Sequence, residues 1–422
     1  MIPQRLLDLF EQATARTRSN STTPSPTDLV ADVNGTNHTL PASTRIVPFD
    51  NTAFLPPSSN ASALPFPSTV CVSASGSLTI PPRASENTHL GEFVVAYLTS
   101  SSGDQGKLDD IVAGIAAALG IVPRGGPQEE NVRERVAMFL GWMRPAQRVV
   151  FMAQDTNEKI VTGLSSANGI SSDLRWVGRP AGAKQETVWR ALTAPGDNRI
   201  FEMRTYFAGP NGWTVVSDVD DTVKVSQVNN RIALLRNTFV AEPSAVPGMP
   251  ELYHSLDAKL NNPAWFYLSA SPWQLYPFLH EFLTTSTPNT QTLFPRGQLV
   301  LRDMNRSAMP IYLSSLTMGT REYKFDRLTK IHGWMSEPNR RVLLIGDSTQ
   351  TDPEAYGDAA RKWPGWVGAI WIRVVKGVDE SKEKDLNSPQ RFEKAFQGVD
   401  KSIWRTFQDA KELAAAAQGL KV

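Results

Sequence analysis

Trp213-Thr-Val-Val-Ser-Asp218-Val-Asp220-Asp221-Thr222-Val-Lys224 is a short apolar run that stops abruptly in three carboxylates. Its β-branched residues read as a buried strand, and alternation places Asp218 and Asp220 on one side with Val219 turned into the core. Carboxylates crowded at a strand end repel one another and call for a cation. Oxygen donors with no histidine or cysteine beside them favour Mg²⁺ over zinc. A plainer reading also stands: an acidic turn with Asp220 or Asp221 capping the next helix.

Downstream of this strand, short apolar runs alternate with helical stretches. Strands are expected at Trp213–Ser217, Trp265–Leu268, Gln298–Leu301, Arg341–Ile345 and Val367–Val375, with helices at Pro250–Leu260, Tyr323–Ile331 and Pro353–Lys362. That alternation predicts an α/β domain, a parallel sheet covered on both faces, whose ligands bind at the carboxyl ends of the strands. The closing stretch Pro389–Gln418 reads as one or two helices. Upstream, Gly91–Thr99, Gln147–Ala153 and Ile200–Phe207 are strand-like, and Glu129–Trp142 has helical spacing, which predicts a smaller β-rich domain with one packed helix. Residues 19–68 are rich in Ser, Thr, Pro and Asn. The division expected is therefore 1–68 largely disordered, 69–210 β-rich with at least one helix, and 211–422 the α/β domain with C-terminal helices.

Composition narrows the function classes. With 43 basic and 42 acidic residues among 422, no overall field favours nucleic acid. One cysteine, Cys71, excludes an internal disulfide framework, and the five scattered histidines form no zinc motif. No apolar run is long enough to span a bilayer. The first residues, MIPQRLLDLFEQATARTRS, read as a short amphipathic helix; cytosolic is the default location, with a mitochondrial presequence the less favoured alternative.

Three further elements accompany the first acidic strand end. Trp265-Phe-Tyr-Leu-Ser269 ends a second strand in a hydroxyl, Tyr323-Lys324-Phe-Asp-Arg-Leu-Thr-Lys330 brings a lysine to a helix, and Val342-Leu-Leu-Ile-Gly-Asp347-Ser-Thr-Gln-Thr-Asp352 ends another strand in a carboxylate. Together with Asp218-Val-Asp220-Asp221-Thr222 they resemble, in order, the four motifs of the haloacid dehalogenase-like phosphohydrolases. The stretches Val-Ser-Asp-Val-Asp-Asp-Thr-Val-Lys, Tyr-Leu-Ser-Ala-Ser-Pro-Trp-Gln-Leu and Ile-Gly-Asp-Ser-Thr-Gln-Thr-Asp-Pro-Glu are similar to the fungal actin-patch-associated phosphatidate phosphatase family, distant relatives of the lipins. The similarity runs over about residues 129–375.

That resemblance implies a haloacid dehalogenase-like Rossmannoid fold and Mg²⁺-dependent hydrolysis of phosphatidic acid to diacylglycerol and phosphate. It implies Asp218 as nucleophile forming an aspartyl-phosphate, and Asp220 as acid and then base, with a raised pKa. Ser269 and Lys324 complete the phosphate cradle, Lys324 being favoured over Lys330. The metal is held by Asp218, the Asp220 main-chain carbonyl and Asp347. Thr222 steadies the loop or starts a helix; Asp352 holds metal through water or holds Lys324; Asp221 is a surface or capping residue. Implied partners are phosphatidic acid in membranes, met peripherally, and cortical actin-patch proteins. Two alternatives remain: the same chemistry on another phosphomonoester, or a non-catalytic lipid-sensing module.

Between Thr222 and Trp265, and between Ser271 and Gln298, the chain has no room for a full cap domain, which suggests an open site. Pro272–Leu279 is apolar and aromatic; it reads as a core-facing helix start with Ser271 as N-cap in preference to a lipid-contacting lip.

Overall fold

The computed structural model describes residues 40–55, 88–99, 105–118, 126–180, 186–285, 293–303 and 320–421. The first sheet is built from Thr44–Pro48 (β1), Asn51–Phe54 (β2), Thr88–Thr99 (β3), Trp142–Met143 (β4), Val150–Ala153 (β5), Lys159–Val161 (β6), Ile170–Gly178 (β7), Glu186–Ala191 (β8) and Glu202–Phe207 (β9). The long β3 organises it. One edge of β3 pairs with β1 and then β2, and the other with β7 and β4. The sheet continues β2-β9-β8-β5-β6, and only β2–β9 is parallel. Alternation along β3 sends Phe93, Val95 and Tyr97 into one core with Trp189 and Phe151. Ala96 and Leu98 face the opposite way, onto helices Gln105–Ala118 and Pro127–Leu140.

Two corrections follow for the N-terminal half. Strands β1 and β2 lie inside 1–68, the stretch expected to be largely disordered; Ser/Pro-rich neighbours hid the short alternating run Thr-Arg-Ile-Val-Pro. The helix Gln105–Ala118 was not anticipated, because its alanines and glycine blur the apolar periodicity. The expected amphipathic N-terminal helix lies outside the described residues.

The second sheet comprises Gly212–Asp218 (β10), Ala264–Pro272 (β11), Gln298–Arg302 (β12), Arg340–Asp347 (β13), Val367–Arg373 (β14) and Trp404–Phe407 (β15). Every pairing in it is parallel, in the order β12-β11-β10-β13-β14-β15. Counted along the chain this order is 3-2-1-4-5-6, the doubly wound arrangement, with its reversal point between β10 and β13. Near-continuous apolar runs suit strands covered on both faces: Val215, Val216, Leu343, Leu344, Ile345 and Ile370 are all buried. An α/β sheet thus follows a β-rich region, as expected. The last strand, β15, corrects the reading of Pro389–Gln418 as helices alone; Trp404-Arg-Thr-Phe alternates too briefly to be told from a helix start.

The two sheets meet through the β12 edge. The Asp50 amide donates to the Tyr276 hydroxyl at 2.7 Å and the Thr52 amide to Gln298 at 2.9 Å. Phe54 stacks on Trp334 with ring centres 5.4 Å apart, and Lys330 pairs with Glu92 of β3 at 2.6 Å. Pro272–Leu279 belongs to this packed region. Trp273, Leu275, Tyr276 and Leu279 are buried, so the stretch is core and not a lip. A 3-10 turn at Trp273–Leu275, with Pro272 at its N-cap, leads into the α-helix that starts at Tyr276, so Ser271 lies inside β11 and does not cap the helix.

Candidate active site

Asp218 and Asp347 are the last residues of β10 and β13, the two strands that flank the reversal point. Helix Asp352–Lys362 begins five residues after Asp347 and carries Asp352 in its first turn, a favourable place for a carboxylate. Gly346 makes this approach possible. A Cβ there would lie 2.7 Å from Cβ of Asp352 and 2.8 Å from the Tyr356 ring, so the glycine is required by packing against Asp352. Carboxylate oxygens of Asp218, Asp347 and Asp352 all fall within 4.8 Å of one another.

Lys324, in the second turn of helix Thr320–Trp334, closes this group. Its ammonium donates to Asp218 at 2.7 Å and to Asp352 at 2.5 Å, and it is wholly buried. Burial opposes its charge, but Asp218, Asp352 and Asp347 outweigh that and hold its pKa above the usual lysine value. Lys330 lies elsewhere, on Glu92. Asp352 therefore holds Lys324 directly while also belonging to the carboxylate cluster. Its second oxygen accepts from the Asp347 amide at 3.3 Å. The Thr222 hydroxyl lies 3.1 Å from Asp218 and 3.3 Å from Asp347, in reach of either carboxylate. Thr349 binds Asp347 through both its amide and its hydroxyl.

Asp220 points away from the cluster. Its carboxylate accepts from Ser226 at 2.6 Å, Ser269 at 2.9 Å and Ser271 at 3.1 Å, with the Lys224 ammonium 3.7 Å away. Burial pushes its pKa up, but Lys224 and the three serine hydroxyls prevail and keep it below the ordinary aspartate value. The raised pKa expected for an acid is thus not a property of the resting site. Ser269 Oγ is engaged with Asp220 and accepts from the Ser271 amide at 3.0 Å. Asp220 retains 16 % side-chain exposure, while Asp218, Lys324, Asp347 and Asp352 are buried, so the carboxylate cluster itself is enclosed where an open site had been expected.

Asp221 is neither at the surface nor catalytic in placement. It adopts φ 59°, and its buried carboxylate accepts from the amides of Ser226, Gln227 and Val228 at 2.7–2.9 Å, clamping the loop that delivers Ser226. Lys224, Ser226, Ser271 and Thr349 were not read as site residues from the sequence, Ser271 being read only as an N-cap. Their hydroxyls and ammonium reach the site only through this loop and the strand end, and Ser271 alone gave a local signal, as the second serine of Ser-Ala-Ser.

The donor chemistry fits a hard divalent cation. Four carboxylates, Asp218, Asp220, Asp347 and Asp352, face two lysines, Lys324 and Lys224, leaving a deficit of two positive charges. Asp221 is set against Arg373, which donates to its carbonyl at 2.6 Å. Without a cation, burial and mutual repulsion push Asp218 well above the usual carboxylate range and Asp347 up to about 7. The clustered donors are all carboxylate oxygens, with neither histidine nor cysteine among them.

Residues 213–374, which span β10 to the end of β14, match the family model described as phosphatidate phosphatase APP1, catalytic domain. This segment is similar to the APP1-type catalytic domain. The phosphatidate phosphatase APP1 of Saccharomyces cerevisiae is 26 % identical over 210 residues, covering 47 % of this chain and 33 % of that protein. An uncharacterized protein of Schizosaccharomyces pombe is 30 % identical over 170 residues, covering 39 % of this chain and 26 % of that one. The chain thus spans a third or less of the length of these relatives. The APP1-type segment contains Asp218, Asp220, Ser269, Lys324, Asp347 and Asp352, and excludes the β-rich sheet.

Proposed function

We propose that this chain is a Mg²⁺-dependent phosphatidate phosphatase that works through a phospho-aspartate on Asp218. The observation that carries the reading is the meeting of Asp218, Lys324, Asp347 and Asp352 at the carboxyl ends of parallel strands, inside the segment that matches the APP1 catalytic domain. In the first step the Asp218 carboxylate attacks phosphorus and the bond to the lipid oxygen breaks. Asp220 gives that oxygen its proton. In the second step water attacks the phospho-aspartate, Asp220 takes the water proton, and phosphate leaves with Asp218 restored. Asp220 is poised for the second role, since Lys224 and the serines favour its ionised form; the incoming negative phosphate supplies the upward push that the first role requires.

Lys324 bears on the phosphoryl oxygens while orienting Asp218, and Ser269 offers a hydroxyl at the opposite wall. Asp218, Asp347 and the Asp220 main-chain carbonyl, with Asp352 beside them, would hold Mg²⁺, which when bound neutralises the phosphoryl oxygens and the nucleophile together. No described helix is long and apolar enough to cross a membrane, which is compatible with peripheral contact at a lipid surface. Contact with cortical actin-patch proteins rests on the family resemblance alone.

The test is phosphate release from phosphatidic acid vesicles with Mg²⁺ or with EDTA. Metal-dependent release that Asp218→Asn abolishes is expected. Turnover of soluble phosphomonoesters without any release from vesicles would remove the lipid assignment and retain the aspartate chemistry.

A further inference from the structure

A cleft of about 70 Å³ lies between the two sheets, bordered by residues of both. Its walls are largely apolar: Phe49, Val94 and Ile170 come from the β-rich side, and Trp273, Leu301 and Ile331 from the α/β side. It adjoins the phosphate cradle along two elements. Trp273 follows Ser271, whose hydroxyl is bound to Asp220, by two residues. On helix Thr320–Trp334, Arg327 lies three residues beyond Lys324 and Ile331 one turn further, so the helix that carries the catalytic lysine also forms the cleft wall. Pro272 of β11 is in register with Arg302 of β12, which brings the Leu301 end of β12 beside the Ser269–Ser271 strand end.

We propose that this cleft receives the ester end of the lipid substrate's acyl chain, while Asp218 engages its phosphate. The proposal rests on the reading of the substrate as phosphatidic acid. Three features select this occupant. The guanidinium groups of Arg302 and Arg327 lie 4.9 and 5.5 Å from the ring of Tyr323, the residue before Lys324, and Arg327 lines the cleft, so positive charge stands on the helix that joins the cleft to Lys324. The one lysine among the described residues that line the cleft, Lys330, is paired with Glu92 at 2.6 Å and so offers no site for a second free anion. Trp334, 1 % exposed in the same wall, has an indole N–H without an acceptor among the described residues, and an ester carbonyl is such an acceptor.

The size also sets a limit. A water needs roughly 10–15 Å³ measured this way, so the cleft has room for about five water-sized groups. That accommodates an ester and its first methylenes, and the remainder of the chain stays in the bilayer.

The experiment uses the full chain carrying Asp218→Asn and phosphatidic acid with a photoactivatable diazirine on the acyl chain close to the ester, presented in vesicles, with cross-links mapped by mass spectrometry. Cross-links are expected on the peptides containing Val94, Ile170 and Leu301. In parallel, Leu301→Trp and Val94→Trp fill the cleft from opposite walls. Each should lower the ratio of dispersed short-chain phosphatidic acid turnover to small soluble phosphate turnover about tenfold, the scale of burying one to two methylenes. Soluble phosphate turnover also reports that the variants fold. Cross-links confined to other surfaces, or an unchanged ratio in both variants, overturn the cleft assignment while leaving phosphatidic acid as substrate. A wild type that turns over soluble phosphate but not phosphatidic acid overturns the substrate reading, and the cleft assignment with it.

Discussion

The carboxyl ends of the parallel strands and the seam between the two sheets both bury charge, and they do so on different terms. In the seam, Glu92 meets Lys330 at 2.6 Å and also accepts from Ser172. Asp50 there accepts from the Arg204 amide, the Tyr206 hydroxyl and the His280 ring, each within 3.0 Å. Each of these two carboxylates has donors of its own. At the strand ends, Asp218, Asp347 and Asp352 share one lysine, and burial together with the neighbouring carboxylates raises the pKa of Asp218 and of Asp347. The two lysines of one helix show the contrast directly. Burial lowers the pKa of both, but Asp218, Asp352 and Asp347 reverse this at Lys324, whereas at Lys330 Glu92 and the more weakly acting Asp326 do not, with Arg327 adding to the downward push. Buried charge that is balanced locally holds the molecule together, whereas a surplus of one sign is the arrangement that a bound cation would offset.

The largest effect that can break this contrast comes from the surplus side. Lys324→Met should reduce kcat by about 10²–10³-fold, the scale of losing a preorganised charge partner of a reacting oxyanion. Its fold should survive, because removing the lysine lets the adjoining carboxylates take up protons. Steady-state phosphate release and circular dichroism on the same sample check both parts. Collapse of the fold with this substitution would mean that Lys324 is structural in the same sense as Lys330.

On the balanced side, Lys330→Met leaves Glu92 buried and unpaired, which should cost about 3–5 kcal/mol of stability. Adding Glu92→Leu should return most of that loss, since a well-packed apolar replacement for a buried pair is often neutral. Denaturant melts of the single and double variants measure it, and turnover of a small soluble phosphate by the single variant should stay within a few-fold of wild type. A loss of turnover as deep as that of Lys324→Met would erase the distinction.

The smallest effect concerns pH. Burial and neighbouring carboxylates raise the folded-state pKa of Asp347 to about 7 in the absence of a cation, above its unfolded value. Between the unfolded and folded values the unfolded chain holds fewer protons, so the metal-free protein loses stability as pH rises from about 4 to about 7 and not beyond. Added Mg²⁺ should therefore raise Tm more at pH 7 than at pH 5. Thermal melts in EDTA and in Mg²⁺ across that range would refute the charge deficit if the two curves ran parallel.

The strand ends were legible because their chemistry is written locally. An apolar run stopping in Asp218, and another stopping in Gly346-Asp347, need no long-range information, and the alternation of strands and helices between them gave the parallel sheet. What escaped was set by the path of the loops. Lys224 and Ser226 reach Asp220 only because Asp221 clamps the turn in a left-handed conformation, and Ser271 reaches it because β11 runs on past the expected end at Leu268. Strands β1 and β2 escaped for a different reason. They are short, flanked by Ser- and Pro-rich stretches, and stabilised by β3 and β9, which lie far along the chain. β15 is similar: four residues that become a strand only against β14.

The most direct test of the account is to trap the covalent intermediate. Wild-type protein turning over phosphatidic acid with Mg²⁺ would be quenched in acid within the first turnover, reduced with borohydride and digested for mass spectrometry. An acyl phosphate on Asp218 is reduced to homoserine, so position 218 should carry that mass change, absent without substrate or with EDTA. Burst release of phosphate with Asp218 unmodified, or reduction at Asp220, Asp347 or Asp352 in its place, would contradict the assignment of Asp218 as nucleophile.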